Sequence, residues 1–122
     1  MTKLLLFLAM QSAMPTPLPA EMESTIEPYS ECVSAAFRQR IVAAEVSNKL
    51  EQSSGPKLMA QAIKDCSTQR LSAVDAAEAA LANNPKFADA DMRASFVQER
   101  FAFLDDAFVW SVSPEGDPDN WQ

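Results

Sequence analysis

Cys32 and Cys66 are the only thiols in the 122-residue chain, and histidine is absent. Without an imidazole the commonest general acid and base is missing. The two cysteines stand far apart in sequence and form no Cys-X-X-Cys pair of the kind that lowers a thiol's pKa for redox work. What they offer is one structural disulfide, and with both thiols committed to it no sulfur nucleophile is left.

The acidic residues give no better constellation. Asp89 with Asp91 and Asp105 with Asp106 are close in sequence, but close neighbours on a helix diverge around its axis and do not converge on one site. Asp89 reads as a helix cap. Asp117-Pro118-Asp119-Asn120 presents oxygen ligands but lacks the glycine and terminal glutamate of a calcium loop. Met59 and Met92 read as core filling, and no glycine-rich phosphate loop is present. The expectation is a chain that is not an enzyme and has no metal and no cofactor.

Three arginines form a pattern. Arg40, Arg70 and Arg100 each fall within or beside the apolar stripe of a different helical segment, where a guanidinium needs a partner. Glu51, Glu78 and Glu99 flank the same stripes and could supply it. One reading is a shared pocket in which the guanidiniums hold a carboxylate or phosphate; the other is snorkelling, with packed stems and solvated heads.

These residues need elements to position them. Met1-Thr2-Lys3 followed by the apolar run Leu4 to Met10 and the proline-rich stretch ending at Ala20 reads as an export leader over residues 1–20, cut after Ala20 or, less favourably, after Ala13. The run is too short to span a bilayer, which takes roughly 20 residues. Export implies an oxidising compartment, periplasmic or extracellular, in which two thiols pair. Residues 21–27 read as a flexible N-terminus, 28–112 as one helical domain and 113–122 as an acidic disordered tail. The formal net charge is −7, and loss of Lys3 with the leader makes the remainder more acidic still. Such a surface argues against nucleic acid and anionic membrane as partners.

The periodicity predicts an all-α fold, a small three-helix bundle made of a helical hairpin and an aromatic-rich third helix. The first helix is expected from Pro28, with Tyr29, Cys32, Val33, Ala36, Phe37, Ala43 and Ala44 on one side. The second restarts at Gly55-Pro56 and carries Met59, Ala62, Ile63, Cys66, Ala73, Val74, Ala77 and Leu81 inward, until Asn83-Asn84-Pro85 ends it. A tight turn at Gly55 would place Cys32 opposite Glu78 and leave Cys66 about 18 Å away along the axis, whereas a disulfide spans about 7 Å between α-carbons. A bridge therefore predicts that the first helix stops by about Asn48 and that Glu51 to Pro56 runs back in extended form.

The third segment, from Asp89 to about Val112, has two apolar lines. Met92, Phe96, Phe103, Ala107 and Trp110 form one; Val97, Phe101, Leu104 and Phe108 form the other, about 100° further round. Either the last helix of a bundle needs so broad an arc, or one line covers the hairpin while the other meets a partner. Val97, Phe101, Leu104 and Phe108 are the expected interaction surface. The functional expectation is an exported protein acting through a protein partner or by self-association; the alternative is a small-anion binder using Arg40, Arg70 and Arg100.

Overall fold

A computed structural model describes residues 18–48 and 55–113. Those residues form four helices and no strand: α1 (Ala20–Val46), α2 (Gly55–Asp65), α3 (Ser67–Leu81) and α4 (Ala90–Ser111), with a single 3₁₀ turn at Pro85–Phe87. The all-α expectation holds. Both α1 and α4 pack along α2 and α3, and the core draws on every helix: Met22, Tyr29 and Val33 from α1, Met59 and Ala62 from α2, Ala73, Val74, Ala77 and Leu81 from α3, Val97 and Phe101 from α4.

The N-terminus departs from expectation. Residues 21–27 are helical and not flexible, because α1 starts at Ala20 and runs through Pro28. The apolar repeat continues upstream of that proline, with Met22 fully buried and Ile26 packed against the core. Pro28 itself is exposed, so its ring points away from the packing and the missing amide forfeits one helical bond on the solvated side. Leu18 also packs against the core, and the Pro19 carbonyl accepts from the Met22 amide at 3.0 Å. A cut after Ala20 would remove both; a cut after Ala13 would keep them.

The bridge forms within the chain. Cys32 and Cys66 are joined, with α-carbons 6.0 Å apart. As the bridge required, α1 ends at Val46, followed by Asn48 in the left-handed region at φ 58°, a conformation asparagine tolerates better than most residues. Helical rise takes the chain about 21 Å from Cys32 to the end of α1 and returns it about 17 Å from Gly55 to Cys66. The two lengths differ by only about 4 Å, so Cys32 and Cys66 lie at nearly the same level and the two sulfurs meet. The expected extended run was drawn too long at one end: Gly55 and Pro56 already belong to α2, where proline suits a first turn. Residues 51–54 of that run lie outside the described residues, as do residues 1–17 of the expected leader and residues 114–122 of the expected tail.

Cys66 also interrupts what reads in sequence as one helix. It lies between α2 and α3 with φ −102° and ψ 22°, and its amide turns to Ile63 instead of Ala62. The expected inward stripe is otherwise reproduced, with Ile63 only partly buried. Gly55 has a role beyond the turn: a Cβ there would lie 2.6 Å from the carbonyl oxygen of Val112. Only glycine lets the start of α2 approach the end of α4 so closely. At the other end of α3, Asn84 caps the 3₁₀ turn through the Lys86 amide. Asp89 caps α4, its carboxylate accepting from the amides of Asp91 and Met92.

Candidate functional site

Three helices meet at a partly buried polar cluster on the edge of the apolar core. Tyr29 of α1 is fully buried, and its hydroxyl donates to Asp105 Oδ1 of α4. Arg70 of α3 donates from Nε to the other oxygen of the same carboxylate at 2.9 Å. The guanidinium carbon stands 5.7 Å from the centre of the Phe101 ring, and Tyr29 also packs against Phe101 and Phe108. Burial, reinforced by the hydrogen bond to Asp105, pushes the Tyr29 phenol well above its ordinary value. The cluster therefore holds a neutral phenol, a carboxylate and a guanidinium, each satisfying the others. It is a tie between elements.

Arg40 makes a second tie, between α1 and α2. Its Nε and Nη2 donate to the two carboxylate oxygens of Asp65, both at 2.7 Å, and Nη1 donates to Gln61 Oε1 at 3.0 Å. Side chains on a helix lean toward its N-terminus, so Arg40 reaches back toward the level of Cys32, where Asp65 precedes the bridged Cys66. The paired guanidinium holds the Asp65 carboxyl below its ordinary value.

Arg100 is buried with its guanidinium carbon 4.9 Å above the Phe96 ring, and Phe96 in turn packs on Phe87 at 4.8 Å. The three arginines thus have three different settings. Two are held by aspartates of the same chain, which weighs against a common anion pocket. Arg40 and Arg70 are held by Asp65 and Asp105 and not by the expected Glu78 or Glu99, and Glu51 lies outside the described residues. Asp105 had a legible signal: it lies one turn from both Phe101 and Phe108, a carboxylate on an otherwise apolar line.

The two apolar lines of α4 exchange roles relative to expectation. Val97 and Phe101 are fully buried, and Leu104 and Phe108 pack against the core. These four are therefore core, not an interaction surface, because they are the side that meets α2, α3 and Tyr29. The line left at the solvent edge is the other one. Met92 is 46% exposed and Trp110 38%; Phe96 and Phe103 lie between them, half-buried. Ala107, assigned to that line, is buried. Phe96, Phe103 and Trp110 follow one another at seven-residue intervals, and Glu99 and Asp106 fall three residues after the first two, both exposed. The strip therefore alternates ring and carboxylate along the helix.

A lesser apolar patch lies on α1, where Ala35, Arg38, Gln39, Val42 and Ala43 line a shallow depression. Val42 and Val46 are exposed there. Among the described residues no helix is long and apolar enough to cross a membrane, and no group of three or more acidic, histidine or cysteine side chains is placed to hold a metal ion. Comparison with protein-family models, with curated proteins and with solved structures returns no match.

Proposed function

We propose that this chain is an exported helical protein that works by docking a protein partner, not by catalysis, and that the outer strip of α4 is its contact surface. With α2 and α3 counted as one interrupted rod, the architecture is read as a three-helix bundle whose last helix has both an inner and an outer apolar line. The single observation that carries the reading is that outer line: Met92 and Trp110 keep large apolar area in solvent beside Phe96 and Phe103, all on one side of one helix. Contiguous aromatic and methionine surface is the composition that protein interfaces favour. A chain with no histidine and both thiols joined has little else with which to act. The bridge suits an oxidising compartment, which supports the export reading.

Photo-crosslinking tests this. A benzophenone amino acid placed at Met92 or at Trp110 is expected to capture a discrete protein product in the native cells, either a heterologous partner or a second copy. The same group at Ser72, exposed on α3, is expected to capture none. Equal labelling from all three positions, or none from α4, contradicts the proposal.

A further inference from the structure

Resting on that reading of α4, we infer that the partner segment it takes is cationic, a basic amphipathic segment and not a second copy of this chain. The argument comes from what is interleaved with the rings. Placed on a seven-residue repeat, Phe96, Phe103 and Trp110 occupy one seam position, and Glu99 and Asp106 occupy the companion seam position that an apolar residue fills in a self-pairing coil.

Two copies paired in parallel through this strip would set carboxylate against carboxylate, and paired antiparallel they would close each carboxylate against a ring with no cation beside it. Like charges at a closing interface are costly, and they select against that partner. The rest of the exposed arc does not relieve them. Asp91 adds a further acid, and the only basic residues of α4, Arg93 and Arg100, are turned inward: Arg93 donates to the Phe87 carbonyl at 2.8 Å, and Arg100 lies buried over Phe96. The chain as a whole carries a formal charge of −7, which repels a copy of itself and steers a basic partner inward.

A lysine- or arginine-bearing amphipathic segment meets each of these features. Its apolar side covers Met92, Phe103 and Trp110. Its cations pair with Glu99 and Asp106, and beside Phe103 a guanidinium or ammonium finds the face of a ring. Helix-on-helix docking of this kind is a common mode of peptide recognition.

The test uses the whole chain with its bridge intact. Two synthetic amphipathic helical peptides serve as probes, both with leucine along one side, one with lysine and the other with glutamate along the opposite side. Binding is read by amide chemical-shift changes and by calorimetry. The lysine peptide is expected to move the resonances of Met92 to Ser111 and to bind at least about tenfold tighter than the glutamate peptide. Raised salt should weaken it, and so should the double substitution Glu99→Gln with Asp106→Asn by about tenfold; both positions are exposed, so the fold is kept.

Equal binding of the two peptides at α4 overturns the cationic partner and leaves the docking strip standing. A shift of α4 by neither peptide also overturns it, and crosslinking from Met92 and Trp110 then decides the docking strip separately. Self-association that strengthens when Glu99 and Asp106 are neutralised identifies a second copy as the occupant and overturns the inference.

Discussion

Tyr29 shows at the scale of one side chain how the chain uses its few polar residues. Its ring belongs to the core, between Phe101 and Phe108, and its hydroxyl is tied to Asp105. Deprotonating it would place a second negative charge against that carboxylate inside the protein, so the folded state holds the proton more tightly than the unfolded chain does. The sign of the pH effect follows. Below the ordinary phenol value of 10.0 the stabilisation is present in full. As pH rises through it, the unfolded chain ionises and the folded one does not, so stability falls by about 1.4 kcal/mol per pH unit until the folded value is reached. This is the only tyrosine in the chain, so near-ultraviolet tyrosinate absorbance reports it directly. Native protein is expected to show no ionisation at the pH where denatured protein does, and Tyr29→Phe should remove that part of the alkaline loss. Coincident native and denatured titrations contradict the buried Tyr29–Asp105 contact.

Among the elements, α1 is where local rules and tertiary packing disagree most. Proline at position 28 marks a helix start in isolation, yet it lies in the ninth position of a 27-residue helix. Packing decides the outcome: burying Met22 and Ile26 outweighs the one helical bond that Pro28 cannot make on the exposed side. Pro28→Ala restores the bond and relieves the ring's crowding of the preceding turn. Its stability is then expected to rise by about 1 to 2 kcal/mol, allowing for the proline's restraint of the unfolded chain. A neutral or destabilising result in denaturant unfolding indicates that the helix begins at the proline. The upstream repeat Met22, Ile26, Tyr29, Val33 was legible in the sequence, and the proline masked it.

The inward stripe of α2 and α3 was legible too, because small and apolar residues recur there at helical spacing from Met59 to Leu81. The interruption at Cys66 was not. It arises where the bridge pins a helical residue to a neighbour, a tertiary constraint that leaves no mark on propensity. The close approach of Gly55 to Val112 was hidden for a similar reason: glycine before proline signals a turn equally well whether or not another backbone passes beside it.

At the scale of the whole molecule, the disulfide and the charged ties Arg40–Asp65 and Arg70–Asp105 help to hold an acidic, alanine-rich helical fold. The bridge closes a long loop between α1 and the α2–α3 junction, worth roughly 3 to 4 kcal/mol by chain entropy. Arg40 with Asp65 reinforces the same junction from outside, while Arg70, Asp105 and Tyr29 join three helices within. Cysteine spacing alone gave the bridge and the end of the first helix. It could not say which of two apolar lines on α4 faces inward, since each is long enough and apolar enough to serve. The deciding residue is Asp105: its pairing with Tyr29 and Arg70 turns the Phe101 line to the core and leaves Met92, Phe103 and Trp110 at the edge.

That division of α4 into a line that holds the fold and a line at the solvent edge is the central claim, and unfolding free energies test it most directly. Phe101→Ala is expected to lose about 3 to 5 kcal/mol, as a fully buried aromatic does. Met92→Ala, at a position 46% exposed, is expected to lose no more than about 1 kcal/mol, as exposed helix positions do. Equal losses, or a larger loss for Met92→Ala, would contradict it.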